Sequence, residues 1–367
     1  MGALYAGTIN ASGARSLSFQ INTRGYACSP SNAAGEFPGA TMKVLIPGGS
    51  GHVGSILARA FHERGDEVVV LSRSETKASP WRVVKWDGEK LEAWADEFEG
   101  ADAVINLAGR SVNCRYTPEN RRLIIDSRVK STAIVGQAIA QTNNAPRVWL
   151  QASTATLYAH RFDAPNDEAT GIIGGSEPDA PDTWRFSIEV VKKWERELNA
   201  AATPNTRKVL MRSAIVMTPY ADGPFDMLLR LVRFRLGGQF GDGQEFVSWI
   251  HDHDFVQAVD WLIQHEELVG PVNLAAPNPL PNSEFMRDIR KAWGVSFGLP
   301  ATKWMLELGA FVLRSETELM LKSRRVVPLR LLHSGFAFQF PTWAEAAQDL
   351  CARWRKRQLV SAALSKQ

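Results

Sequence analysis

Three glycines at three-residue spacing stand out for the chemistry they permit: Gly48, Gly51 and Gly54, within Gly48-Gly49-Ser50-Gly51-His52-Val53-Gly54. The first allows a tight turn. The second leaves backbone N–H groups open to a pyrophosphate, with no Cβ in the way. The third lets a helix pack closely on a strand. Such a pattern has weight only between a strand and a helix. Here Lys43–Ile46 is a short apolar run suited to a buried strand, and 53–64 places Ile56, Leu57, Ala60 and Phe61 on one helical face. The unpaired N–H groups and positive dipole end of that helix would meet the phosphates. Gly48, Ser50, Gly51, His52, Val53 and Gly54 are therefore expected to bind a dinucleotide.

The next strand, Glu67–Leu71, runs into Ser72-Arg73-Ser74. An Asp or Glu there would bind the ribose hydroxyl of NAD. Arg73 instead suits a 2′-phosphate, so the expected cofactor is NADP(H); the alternative is a solvated surface arginine. A later strand, Ala103–Leu107, ends in Asn106-Leu107-Ala108-Gly109. Leu107, Ala108 and Gly109 either leave room for the cofactor or form a plain strand-to-loop turn.

These residues need a frame to position them. Strands at 43–46, 67–71, 103–107, 147–152 and 208–212 alternate with helices at 53–64, 118–140, 188–201 and 225–236. This alternation predicts an α/β fold with a doubly wound parallel sheet. Beyond Val269 the pattern changes, with Pro271, Pro277, Pro279 and Pro281, then helices expected at 283–293, 303–313 and 343–358. The expected domains are 42–280, binding NAD(P), and a small C-terminal domain over 281–358. Residues 1–41 show no patterned element and have a single acid, Glu36. They read either as an organelle transit peptide or as residues ahead of a true start at Met42.

Composition narrows the function classes. A net charge of +3, with dispersed basic residues, argues against nucleic acid as a partner. No run of 18 uncharged apolar residues occurs, so no membrane span is expected. The three cysteines, Cys28, Cys114 and Cys351, are far apart and form no C-x-x-C. They read as free thiols of a reducing compartment: cytoplasmic, or organellar if the leader is a transit peptide. His251-Asp252-His253-Asp254 lacks a further ligand cluster, and no metal is expected. Asp254 is expected to cap a helix over 255–263. Arg230, Arg233 and Arg235 lie among leucines. They could make a basic membrane face, the wall of an anion pocket, or a solvated surface.

In order and spacing the chain resembles the epimerase-like branch of the extended short-chain dehydrogenases, the sugar-nucleotide-epimerase-like proteins with a small uncharacterised C-terminal domain. The matching residues are Gly48–Gly54, Val104–Gly109, Ser127-Arg128, Ala152–Tyr158, Trp194-Glu195, Arg212-Ser213, Gly241–Gly243, Trp249–Asp254 and Val327–Phe336. The resemblance implies a Rossmann-type sheet with a discontinuous, mainly helical substrate lobe, and it adds Arg212 to the cofactor-binding residues. It also implies acid–base assistance to hydride transfer by Tyr-x-x-x-Lys with a Ser or Thr. Thr154 falls at the hydroxyl position. The expected Tyr-x-x-x-Lys helix reads Trp184–Glu195, with Arg185 at the Tyr place and Glu189 at the Lys place, and it holds no Tyr. Tyr158 is then either a substitute acid or a structural phenol, and His160 is a reserve donor. The expected function is an NADP(H)-binding oxidoreductase or epimerase-like enzyme of an unidentified small substrate, nucleotide-linked substrates among the candidates. The rival is a catalytically silent NADP(H)-binding redox sensor or scaffold.

Overall fold

An apolar run without polar alternation is stable as a strand only where both its faces are covered. Lys43–Pro47 (β1) is such a run, with Val44, Leu45 and Ile46 fully buried. The computed structural model describes residues 41–74, 79–178, 180–221, 223–301 and 322–364. Residues 1–40 and the helix expected at 303–313 lie outside the described residues. After β1 come α1 (His52–Arg64), β2 (Glu67–Ser72), β3 (Arg82–Lys85), a 3₁₀ segment (Ala93–Phe98), β4 (Ala103–Asn106) and α2 (Pro118–Gln141). Then come β5 (Val148–Thr154), α3 (Asp182–Ala200), β6 (Arg207–Ser213), β7 (Ile215–Met217), α4 (Pro224–Arg233), β8 (Phe246–Val247) and β9 (Trp249–His251). The chain continues through α5 (Asp252–Gln264), β10 (Gly270–Leu274), β11 (Leu280–Pro281), α6 (Asn282–Trp293), α7 (Leu329–His333) and α8 (Trp343–Leu364).

Seven strands form one parallel sheet in the order β10-β6-β5-β4-β1-β2-β3. Val44 sits opposite Val68 on one side and Ala103 on the other. The order reverses between β1 and β4. Connections leave these two strands in opposite directions, which opens a crevice at their carboxyl ends. Alternate side chains feed two cores. Val44 and Ile46 pack with Leu57 and Phe61 of α1 and with Phe255 and Leu262 of α5. Leu45, Val69 and Val104 pack with Val135 of α2 and with Trp94 and Trp149. A third core joins Phe225 and Leu229 of α4, Phe285 and Ile289 of α6, and Trp343 and Leu350 of α8. There Phe285 stacks on Trp343 at 4.0 Å. Each such buried apolar side chain contributes about 1.5–3 kcal/mol relative to exposure. Thr41–Gln367 form one compact unit.

Two sheet strands carried no sequence signal. β3 has only Val83 and Val84 between charged residues, and it survives as an edge strand. β10 contains Gly270 and Pro271, and the missing N–H of a proline is tolerated at a sheet edge. Three expectations need correction. α3 begins at Asp182, six residues before the apolar pattern. α4 ends at Arg233, and Arg235 takes a positive φ of 60°. Asp254 does not cap α5. The His251 ring does, accepting from the His253 amide at 3.1 Å, while Asp254 accepts from the amides of Gln339 (2.8 Å) and Phe340 (2.9 Å). His251 Nε2 also lies 3.0 Å from Asp349, so the motif ties α5 to α8. Two of the three basic residues near α4 are engaged within the lobe: Arg230 pairs with Asp226 at 2.7 Å, and Arg233 lies 4.6 Å over Trp354. No described helix is long and apolar enough to cross a membrane.

Candidate functional site

The glycine turn closes the carboxyl end of β1. Gly48 adopts φ +76°, and its amide donates to the Leu71 carbonyl at 2.9 Å. A Cβ on Gly48 would lie 2.7 Å from the Ala108 backbone, so the turns after β1 and β4 touch. A Cβ on Gly54 would lie 2.5 Å from Gly49 Cα. Gly51 differs: its Cβ would meet only the Gly48 carbonyl, at 3.5 Å, and the space above it is open. The amides of His52, Val53 and Gly54 begin α1, where the first turn of a helix has no carbonyl partners of its own. No acid occupies that turn, so the place favours an anion. The half-buried His52 ring sits where a Cβ on Gly223 would come within 2.6 Å of its Nε2. Ser72 donates to Ser50 Oγ at 3.0 Å, tying the turn to the end of β2. Arg73 follows, exposed, with no hydrogen bond or ion pair among the described residues.

At the end of β4 the buried Asn106 side chain donates to Gln151 (3.0 Å) and accepts from the Ala108 amide (3.1 Å). The Leu107 amide donates to Pro47 at 2.8 Å. Asn106 thus locks the turn, with Ala108 buried and Gly109 exposed at the crevice. Arg128 of α2 lies against Gly109, and a Cβ there would come 3.2 Å from its Cζ.

The end of β5 supplies Thr154. It is half-buried, accepts from the Thr156 amide at 3.3 Å and donates to Thr156 Oγ1 at 3.2 Å, capping a 3₁₀ turn. Beside it runs a closed network. Ser153 donates to Glu195 at 2.6 Å. Arg212 grips Glu195 through Nε (2.9 Å) and a terminal nitrogen (2.8 Å), and its other terminal nitrogen donates to Tyr158 at 3.1 Å. Tyr158 in turn donates to Asn273 at 2.9 Å. Burial opposes the Arg212 charge, but hydrogen bonds and attraction from Glu195 hold its pKa above the ordinary value. Burial pushes the Tyr158 phenol up. Tyr158 is 2% exposed with its hydroxyl engaged at both ends. Arg212 is directed to Glu195 and Tyr158. His160 packs on Trp184 at 5.0 Å, and its Nδ1 accepts from the Ser323 amide at 2.8 Å. Burial, then Lys322, lowers its pKa.

Arg185 and Glu189 are exposed, and Glu189 pairs with Lys193 at 2.7 Å. The residue that reaches β5 is Glu195. One and two turns back on its face lie Val191, packed on Leu157, and Ser187. Neither Tyr nor Lys stands there. The Ser187 hydroxyl lies 3.5 Å from that of Tyr116, a phenol delivered by the loop after β4.

Sequence reasoning assigned no role to Tyr116, Arg128, Glu195 or Lys322. Lys322 is 2% exposed and donates to the Thr156 carbonyl at 2.7 Å. For two of these a signal existed. Arg128 shares the inward stripe of α2 with Ile124, Ser131 and Val135, and Glu195 shares that of α3 with Val191 and Leu198. A charge on a buried stripe calls for a partner. Elsewhere a cavity of about 410 Å³ is lined by Arg59, Tyr220, His251, Asp349 and Arg353 among others, none of them from the glycine turn.

The NAD dependent epimerase/dehydratase family matches residues 44–275, and a domain of unknown function, DUF1731, matches 301–350. The human epimerase family protein SDR39U1 is 29% identical over 316 residues, 85% of this chain and all of that protein. The crystal structure of human SDR39U1 (isoform 2) with NADPH superposes with a TM-score of 0.73 at 26% identity, covering 85% of this chain and 99% of that one. A nucleoside-diphosphate sugar epimerase from Corynebacterium glutamicum gives a TM-score of 0.64 at 25% identity, covering 88% of this chain and 62% of that one.

Proposed function

Because the chain belongs to the NAD dependent epimerase/dehydratase family, we propose that it is an NADP(H)-dependent oxidoreductase or epimerase-like enzyme of a small substrate, with nucleotide-linked carbonyl or carbinol compounds as the first class to test. The observation that carries this reading is the crevice at the β1/β4 reversal. The open space above Gly51 adjoins the first turn of α1, and Arg73, just past the end of β2, pairs with no acid among the described residues. The NADPH complex of the human relative supports the same cofactor.

When bound, the cofactor supplies or takes a hydride at the substrate carbon. The chain's own residues divide the remaining work. The α1 amides would hold the diphosphate, and Arg73 would hold the 2′-phosphate. Thr154 orients the substrate oxygen from the end of β5. Tyr116, whose phenol lies 3.5 Å from the Ser187 hydroxyl in the first turns of α3, gives or takes the proton at that oxygen. Tyr158 and Arg212 form the wall behind.

Calorimetry tests the cofactor. NADPH should bind more tightly than NADH, and Arg73→Ala should weaken NADPH about tenfold while leaving NADH nearly unchanged, the lower end of a charge-assisted hydrogen bond at an exposed site. Equal losses for both would overturn the assignment. Stopped-flow hydride transfer over sugar nucleotides and small carbonyls tests the reaction. Thr154→Val and Tyr116→Phe should each slow turnover about a hundredfold or more with cofactor affinity kept. Variants that turn over like the parent would overturn the site. The absence of any Tyr from α3 favours a second reading, an NADP(H)-binding sensor without turnover. It prevails if the parent binds NADPH tightly and transfers no hydride.

A further inference from the structure

Arg128 is a cation whose position that mechanism leaves unused. It stands on the inward stripe of α2, between Ile124 and Ser131, both at most 3% exposed. One terminal nitrogen donates to the carbonyls of Arg110 (3.0 Å) and Ile124 (3.1 Å). The guanidinium lies 5.0 Å over the Trp194 ring. The side chain also meets Gly109, where a Cβ would come 3.2 Å from Cζ and 3.3 Å from Cγ.

No carboxylate among the described residues pairs with Arg128. Glu195, next to Trp194, is gripped by Arg212 at 2.8 Å, and Asp126 faces Arg122 at 3.6 Å and Lys130 at 4.0 Å. The Nε and second terminal nitrogen of Arg128 have no acceptor among the described residues. Burial pushes its pKa down to about 10, the opposing pull coming from Tyr116, and it stays charged at neutral pH. Arg128 is half-buried, and its two uncommitted nitrogens are not sealed from solvent, so they are open to a ligand. Its planar fork matches phosphate and carboxylate oxygens. The glycine at 109 is what allows such close approach.

We propose that Arg128 is an anion-binding subsite of the crevice, taking phosphate or carboxylate oxygens of the bound ligand beside Gly109. This rests on the crevice being the ligand site. The oxygens come either from the cofactor diphosphate or from an anionic group of the substrate.

The test uses the full chain and inorganic pyrophosphate as probe, titrated by calorimetry into free and NADPH-loaded protein. Arg128→Gln should weaken pyrophosphate at least tenfold, Arg128→Lys should retain part of the affinity, and Gly109→Ala should reproduce Arg128→Gln. If NADPH affinity falls in step and the loaded parent no longer takes the probe, the cofactor diphosphate is the source. If NADPH affinity holds and the loaded parent still takes the probe in an Arg128-dependent way, the source is the substrate. A folded Arg128→Gln that binds NADPH and pyrophosphate like the parent overturns the subsite and makes the cation a structural strut. Should Arg128→Gln fail to fold, Gly109→Ala carries the same decision. Arg128-dependent pyrophosphate binding in a protein that refuses both NADPH and NADH would overturn the cofactor reading and leave the subsite standing.

Discussion

Replacing Glu195 with Ala should destabilise the fold more than any change confined to the crevice surface. Glu195 accepts from Arg212 at 2.9 and 2.8 Å and from Ser153 at 2.6 Å, and the paired side chains are 12% and 11% exposed. After substitution Arg212 keeps only its bond to Tyr158, leaving two guanidinium nitrogens buried without acceptors. At about 1–3 kcal/mol for each unsatisfied group, the loss agrees with the roughly 3–5 kcal/mol for removing one partner of a buried ion pair. At about 2.1 cal/mol/K of unfolding entropy per residue, this 367-residue chain shifts by roughly 1.3 °C per kcal/mol, so the melting temperature should fall by about 4 °C or more. The assay is a thermal melt with a urea titration of the same samples. Glu195→Ala combined with Arg212→Met removes the stranded charge and should recover part of the loss. A drop under about 1 kcal/mol, or a double variant weaker than Glu195→Ala, would refute the reasoning that this pair is a satisfied buried bridge.

Tyr158→Phe should lower stability by about 1–3 kcal/mol, because Asn273 and Arg212 each lose a buried partner, while turnover stays near the parent value; a large loss of turnover at unchanged stability would return Tyr158 to the role of acid. Gly51→Ala and Gly54→Ala should separate ligand space from packing. The first, with only a 3.5 Å neighbour, should keep its melting temperature and lose NADPH, and the second, 2.5 Å from Gly49 Cα, should lose both; the reverse order would contradict the turn geometry. Acid should also weaken the α5–α8 junction. Burial holds the His251 imidazole below its ordinary value of 6.5 despite Asp252 and Asp349, with Arg353 opposing as well. The unfolded chain then takes up a proton that the folded one refuses, so stability is full above 6.5 and falls as pH drops below it. His251→Gln should flatten that slope in melts from pH 7.5 to 5; an unchanged slope would assign it to other groups.

The sequence by itself determined what depends on a few neighbouring residues. The glycine turn, the strand before it, the helix after it and Arg73 at the end of β2 were legible because each follows from local backbone geometry and periodicity. The alternation of strands and helices likewise implied the parallel doubly wound sheet. Other features depend on residues far apart in the chain. β3 and β10 are strands because neighbours in the sheet accept them, against weak local pattern in Arg82–Lys85 and a proline in Gly270–Leu274. The direction of the Arg212 guanidinium, and with it the occupied hydroxyl of Tyr158, was set by Glu195 from α3 and Asn273 from β10. The working face of α3 follows from its docking on β5, where Glu195 accepts from Ser153. Only the tertiary structure could decide these, because a buried charge or hydroxyl is oriented by the partner that compensates its lost water, and that partner comes from a distant part of the chain.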